Sequence, residues 1–359
     1  MKTNLIKKGI LVLFLFGFTI QTQAQTKNET TKELPRVTIL ATGGTIAGAG
    51  ESATKAAYTA GKVSIDILLS AVPQIHDLAT VKGEQIAQIG SQDMSVEVWL
   101  KLAKRINTIF EEGSADAIVI THGTDTMEET ATFLDLTVLF DKPVVLVGAM
   151  RASTAMSQDG NKNLLDAVMV ASDPASQGKG VMVAMNELVF DARDVTKTIT
   201  TSTSTFHSSN FGPIGLIYDG KVNYYYKSLR DPLKKFDVTN KTSLPQVEII
   251  YGYSDASPVT VDALLDTEVK GIVYAGMGNG NFNAAVGKSL ANASKKGIVV
   301  CRSNRAGAGR ITLHNEVDDA ALGFVVGDDL NPQKARILLM LSLMETSDRA
   351  KIQNNFFKY

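Results

Sequence analysis

A chain of 359 residues has room for two domains of ordinary size. Its 36 Lys and Arg nearly cancel 37 Asp and Glu, which leaves no basic excess for a nucleic-acid scaffold or a polybasic membrane binder. A hydrophobic content of 44 % suits a globular protein with a sizeable core. In chain order, Lys2, Lys7 and Lys8 precede an uncharged, mostly apolar run from Gly9 to Ile20, and Thr22-Gln23-Ala24 puts small residues at the two positions a signal peptidase reads. This is the pattern of a secretory signal peptide over 1–24, cleaved near Ala24. As a membrane anchor the run falls short of the roughly 20 residues a bilayer span needs. The expected protein is periplasmic or secreted, with no membrane association after cleavage.

Gln25 to Leu34 is a polar lead. From Pro35 onward, short β-branched runs alternate with amphipathic stretches. Val37–Ala41, Ala117–Thr121, Val144–Val147 and Gly180–Ala184 read as buried strands. Val96–Phe110 carries a helical stripe of Trp99, Leu102, Ala103, Ile106 and Phe110, and Thr126-Met127-Glu128-Glu129 fits a capping box at the start of a second helix. Such alternation predicts a parallel sheet covered on both faces. Tyr218 to Pro245 breaks the rhythm, being rich in Lys, Asp, Asn and Tyr. Beyond it, Val247–Tyr251, Gly271–Ala275 and Gly297–Cys301 predict strands, and Val261–Asp266, Asn283–Ser294 and Asn331–Thr346 predict helices. The expected fold is α/β in two domains. A larger N-terminal, parallel-rich sheet flanked by helices (34–220) is joined by a linker (221–245) to a smaller C-terminal α/β domain (246–359).

Ligands of open parallel sheets bind beyond the carboxyl ends of the strands, so the polar residues there are the candidates. Thr42-Gly43-Gly44-Thr45 follows the first strand, and paired glycines let the backbone turn sharply and expose amides. The stretch lacks both the lysine and spacing of a phosphate loop and the glycine pattern of a dinucleotide site; a plain tight turn competes with a site here. His122-Gly123-Thr124-Asp125-Thr126 runs from the next strand into a helix N-terminus, which favours anionic or polar groups. His122 has no metal-ligand spacing around it and reads as structural. Asp194-Val195-Thr196-Lys197 supplies a lysine that can take a hydroxyl's proton where burial or charge lowers its pKa, although a lone lysine is far more often a solvated charge. Gly90-Ser91-Gln92-Asp93, Gly276-Met277-Gly278-Asn279-Gly280-Asn281 and Glu316-Val317-Asp318-Asp319 add hydroxyl, amide and carboxylate groups. Cys301, the one cysteine, reads as a small buried hydrophobe. No Ser-His-Asp triad, metal cluster or phosphate loop emerges from spacing; a hydroxyl nucleophile working without histidine does.

At these residues the sequence resembles the bacterial type II L-asparaginases. Ala41-Thr42-Gly43-Gly44-Thr45-Ile46-Ala47-Gly48 matches the first signature of that family, and Val119-Ile120-Thr121-His122-Gly123-Thr124-Asp125-Thr126-Met127-Glu128-Glu129-Thr130 the second. The resemblance continues through Gly90–Met94, Asp141–Val145, Val147–Arg151, Arg193–Thr198 and Asn331–Arg336, covering nearly all of Leu34 to Tyr359. It implies an amidohydrolase that converts L-asparagine to L-aspartate and ammonia by a threonine acyl-enzyme, with weaker action on L-glutamine and no metal or organic cofactor. Thr45 is then the nucleophile, Tyr58 on a lid loop its activating partner, with Glu316 behind it. Thr124, Asp125 and Lys197 form a second catalytic set, and Ser91, Gln92, Asp125, Asn281 and Glu316 bind substrate. Asn281 and Glu316 are expected to come from a neighbouring subunit of a homotetramer built as a dimer of intimate dimers.

The asparagine preference follows, through the resemblance, from Asn281; one methylene of difference from glutamine is worth only about 1–3 kcal/mol, so some glutaminase activity is expected. Some members carry a disulfide whose positions fall here at Phe110 and Phe140, so aromatic packing has to replace a crosslink of about 2–4 kcal/mol. A broad glutaminase-asparaginase is the rival enzyme reading. A periplasmic amino-acid receptor is the rival outside enzymes, but binding alone has no need of the threonine, tyrosine and lysine set.

Overall fold

The computed structural model describes residues 33–50, 59, 61, 64–226 and 235–359. The expected signal peptide (1–24) and Tyr58 lie outside the described residues. The larger domain contains strands β1 (Arg36–Gly43), β2 (Thr80–Ile89), β3 (Ala117–Thr121), β4 (Val144–Val147), β5 (Val181–Met185), β6 (Leu188–Asp191), β7 (Val195–Lys197), β8 (Phe206–Ser208), β9 (Gly215–Tyr218) and β10 (Lys221–Tyr224). Helices α1 (Ile65–Ser70), α2 (Val96–Glu111), α3 (Met127–Thr137) and α4 (Gly160–Ser172) fall between the first five of these strands.

β3 and β4 are buried at every position, as strands covered on both faces must be. The main sheet runs β10-β9-β6-β5-β4-β3-β1-β2. Pairings from β2 across to β5 are parallel, and those from β5 out to β10 are antiparallel. β7 and β8 form a separate antiparallel ribbon. The stripe on α2 is buried as its spacing predicts, and Ser95 caps the helix by accepting from Val98 N at 3.4 Å.

The smaller domain has β11 (Val247–Tyr251), α5 (Val259–Leu264), β12 (Gly271–Gly276), α6 (Ala284–Lys295), β13 (Val299–Asn304), α7 (Asp319–Leu322), β14 (Val325–Val326), α8 (Pro332–Glu345) and α9 (Arg349–Lys358). Its four strands are parallel, in sequence order. On one face Val261, Val286 and Leu290 pack against Ile272, Tyr274 and Val300. The other face is covered by α8, which is buried almost all the way round, the mark of a helix with structure on every side. α8 touches β11, β12 and β13 on one side and α3 on the other. One continuous apolar core therefore runs from the large sheet through α8 into the small one.

Two sequence expectations need correction. Lys221–Tyr224, read as the start of the linker, is the outer strand of the large sheet; an edge strand has one wet face, so its polar alternation looks like a connection. Further along the same segment, Phe236 and Val238 are buried in the core. The capping box at Thr126 does not form. Thr126 occupies the N-cap position without a side-chain cap bond, and its hydroxyl donates to Ser91 O at 2.8 Å.

Where the resemblance places a crosslink in some relatives, the rings of Phe110 and Phe140 meet edge-on at 5.9 Å, and Lys142 Nζ lies 5.1 Å from the Phe110 centroid. Cys301 is fully buried, and burial pushes its thiol well above the usual range. It is a packing residue. Among the described residues, no helix is long and apolar enough to cross a membrane.

Candidate active site

β1 lies between β2 and β3, and all three run parallel, so their carboxyl ends open on one edge. Three turns meet there. Gly43 and Gly44 have φ of 114° and 78°, a region closed to most side chains, and Gly44 N donates to Ile89 O at 2.9 Å. A Cβ on Gly44 would sit 2.3 Å from Gly123 N, and one on Gly123 would sit 2.5 Å from Ser91 Oγ. The glycines thus allow the backbone after β1, the turn after β2 and the turn after β3 to touch directly. Thr45 follows at the head of a short 3₁₀ turn and is 6 % exposed.

The hydroxyl and charged groups on this edge are joined. Ser91 Oγ accepts from the Asp125 backbone N–H at 3.1 Å. Lys197, brought in by β7, donates from Nζ to Thr124 Oγ1 at 2.9 Å and to Asp125 Oδ1 at 2.6 Å. Thr124 is buried, whereas the Asp125 side chain is 59 % exposed and remains open to a ligand. Gln92 stands exposed on the same turn as Ser91. The arrangement offers two threonine hydroxyls, one amine that can trade a proton with a hydroxyl, and a carboxylate beside them.

His122 lies beneath this edge. It is fully buried, with Nδ1 2.6 Å from Gly123 O and Nε2 2.9 Å from Thr130 Oγ1, and burial lowers its pKa to about 4. It is a neutral structural residue. Among the described residues no group of three or more His, Cys, Asp or Glu could hold a metal ion.

The remaining sequence candidates belong to the smaller domain. Asn281 ends the tight turn after β12 and donates from Nδ2 to Glu316 Oε2. The loop bearing Glu316 is tied to that turn by Asn279, whose Oδ1 accepts from Thr312 N at 2.9 Å and whose Nδ2 donates to Thr312 Oγ1 at 2.6 Å. Among the described residues no hydrogen bond joins Asn281 or Glu316 to Ser91, Thr124, Asp125 or Lys197.

Sequence reasoning missed the groups behind Lys197. Glu128 is 5 % exposed and accepts from Lys197 N at 3.1 Å. Lys334, 1 % exposed, donates to Ala192 O and Arg193 O at 2.9 and 2.8 Å. Burial raises the Glu128 pKa against the pull of Lys334, and lowers that of Lys334 to about 8 against the pull of Glu128 and nearby aspartates. A lone lysine early in an apolar helix was the available signal.

Two family models cover most of the chain. That of the asparaginase N-terminal domain matches residues 36–230, and that of the glutaminase/asparaginase C-terminal domain matches residues 246–356. The chain therefore belongs to the asparaginase family, and it is an amidohydrolase. It is similar to L-asparaginase 2 of Escherichia coli K12, at 53 % identity over 98 % of this chain and 99 % of that one. It is equally similar, at 53 % over 98 % and 99 %, to a probable periplasmic L-asparaginase of Haemophilus influenzae. Among solved structures, a probable cytoplasmic L-asparaginase from Campylobacter jejuni superposes with a TM-score of 0.88 at 50 % identity, over 90 % of this chain and 100 % of that one.

Proposed function

We propose that the enzyme hydrolyses the side-chain amide of L-asparagine by double displacement on Thr45, with Thr124, Asp125 and Lys197 as the second catalytic set. The observation that supports this best is the Lys197–Thr124–Asp125–Ser91 hydrogen-bonded set on the edge where the backbone of Gly44, the residue before Thr45, packs against Gly123. The Thr45 hydroxyl adds to the amide carbon, its proton passes to the departing nitrogen, and ammonia leaves an aspartyl ester. Water then adds to the ester carbon, which releases aspartate and restores the hydroxyl. Tyr58 is the proposed activator of Thr45. Ser91, Gln92 and Asp125 hold the α-carboxylate and α-ammonium groups, which turns binding into aim at Thr45. No cofactor enters these steps.

Asn281 and Glu316 complete the pocket from a neighbouring subunit of a homotetramer. Among the described residues Asn281 and Glu316 pair with each other and make no hydrogen bond to the Lys197 set. The leader pattern and the H. influenzae relative's description support a periplasmic location, whereas the C. jejuni protein is described as cytoplasmic. The C-terminal family description, which names glutaminase first, agrees with minor activity on glutamine.

The test is ammonia release from asparagine and glutamine by chain 25–359 and its Thr45→Ala variant, each sized in solution. Fast asparagine turnover by a tetramer, slower glutamine turnover, and loss of both in the variant are expected. Full activity in Thr45→Ala would remove it as nucleophile, and equal rates on the two amides would remove the preference.

A further inference from the structure

Lys197 rides on a three-residue strand in a ribbon separate from the large sheet. Catalytic groups need placement to within about 0.5 Å, and so short a ribbon cannot provide that for a side chain with four rotatable methylenes. The strand is held from behind instead. Glu128, in the first turn of α3, accepts from Lys197 N at 3.1 Å, and the Thr196 side chain lies beside the same carboxylate. Thr196 Oγ1 in turn accepts from Asn331 Nδ2 at 3.1 Å. Asn331 is the N-cap of α8, its Oδ1 accepting from Lys334 N at 3.0 Å, and Lys334 grips the carbonyls of Ala192 and Arg193 just upstream of β7.

A carboxylate at the site of Glu128 is costly for folding, since burying a charge commonly costs more than a well-packed apolar replacement. Arg193 separately ties this segment to Tyr359 O and Asp329. What Glu128 alone can do follows from its place in the chain. It stands in the helix turn that begins just after Thr124 and Asp125, the two groups Lys197 Nζ must meet.

We propose that Glu128, steadied through Thr196 by Asn331 of α8, is the positioning residue that sets Lys197 against Thr124 and Asp125. This rests on the catalytic assignment of Lys197 and Thr124 made above. One carboxylate fixes the lysine backbone relative to the helix start that presents its targets, and the smaller domain thereby supports the large domain's chemistry from inside one subunit.

The test is steady-state ammonia release from asparagine, with thermal midpoints, for chain 25–359 and the variants Thr196→Val, Thr196→Ser, Glu128→Gln and Lys197→Met. Lys197→Met is expected to lose about 100-fold or more in kcat. Thr196→Val and Glu128→Gln are expected to lose about 10-fold in kcat with KM within about twofold, while Thr196→Ser restores turnover. If Glu128→Gln does not fold, Thr196→Val, which removes one hydroxyl and keeps the side chain's shape, decides. Wild-type kcat in the folded Thr196 and Glu128 variants beside an inactive Lys197→Met overturns the positioning role and leaves the catalytic assignment standing. Losses that follow the thermal midpoint and are not restored by Thr196→Ser overturn it as well. Wild-type activity in Lys197→Met overturns the catalytic assignment and this proposal with it.

Discussion

Acid should loosen the site from His122. Trp99 Nε1 donates to Thr130 Oγ1 at 2.8 Å, so the Thr130 hydroxyl proton is directed to His122 Nε2. Nε2 is then the bare nitrogen, and Nδ1 carries the proton donated to Gly123 O. A second proton would set N–H against O–H and leave an imidazolium buried, and burial is the main cause of a pKa near 4 in place of 6.5. The folded pKa lies below the unfolded one, so the unfolded chain takes up this proton first as pH falls. Stability from the neutral ring is complete above pH 6.5 and is lost as pH falls towards 4. The full loss is about 3 kcal/mol, of which about 2.5 kcal/mol is gone by pH 4.5.

The measurement is urea unfolding at pH 7 and pH 4.5 of wild type and His122→Gln, at one protein concentration because assembly shifts apparent stability. Glutamine can still accept from Thr130 and does not titrate. Buried carboxylates with raised pKa, Glu128, Glu129, Asp166 and Asp191 among them, act in the opposite sense and are common to both proteins. Wild type should lose about 2.5 kcal/mol more than the variant over this interval. Equal losses would show that His122 is not held neutral by the fold, and the tautomer assignment would fall with it.

Two further outcomes are expected. Gly44→Ala puts a Cβ 2.3 Å from Gly123 N at a φ of 78°; the turns must part by about 1 Å, and asparagine turnover should fall about 100-fold, read by ammonia release from folded protein. Phe110→Ala removes a ring that is 3 % exposed and in contact with Phe140; it should cost about 3–5 kcal/mol in urea unfolding while kcat in native buffer stays close to wild type.

Much of the fold was legible because its signals are local. Ala117–Thr121, Val144–Val147 and Val247–Tyr251 form the strands their β-branched runs predict, residue for residue. The edge strand Lys221–Tyr224 was not, because its pattern reflects one wet face and its partner β9 is identifiable only in three dimensions. The candidate site divides in the same way. Thr45, Ser91, Thr124 and Asp125 follow strands directly, so the rule that ligands gather at parallel strand ends found their neighbourhood from sequence alone. Lys197 follows no strand of the large sheet, and its place beside Thr124 came from the family resemblance.

Glu128 and Glu129 show why the supporting layer stayed hidden. The spacing of Glu129 from Thr126 satisfies a capping rule, and on an isolated helix that use would have been available. In the folded chain both carboxylates are largely withdrawn from water, and each has a stronger claim elsewhere. Glu128 meets the backbone of Lys197, and Glu129 lies 3.8 Å from Arg336 on α8. A buried carboxylate left without a partner costs several kcal/mol, far more than the roughly 1 kcal/mol a cap contributes, so the tertiary partner wins. The same inequality accounts for Lys334. A capping pattern or an amphipathic stripe is written in neighbouring residues, but the energy that decides where a buried charge points belongs to contacts between α3, β7 and α8 that no local spacing records.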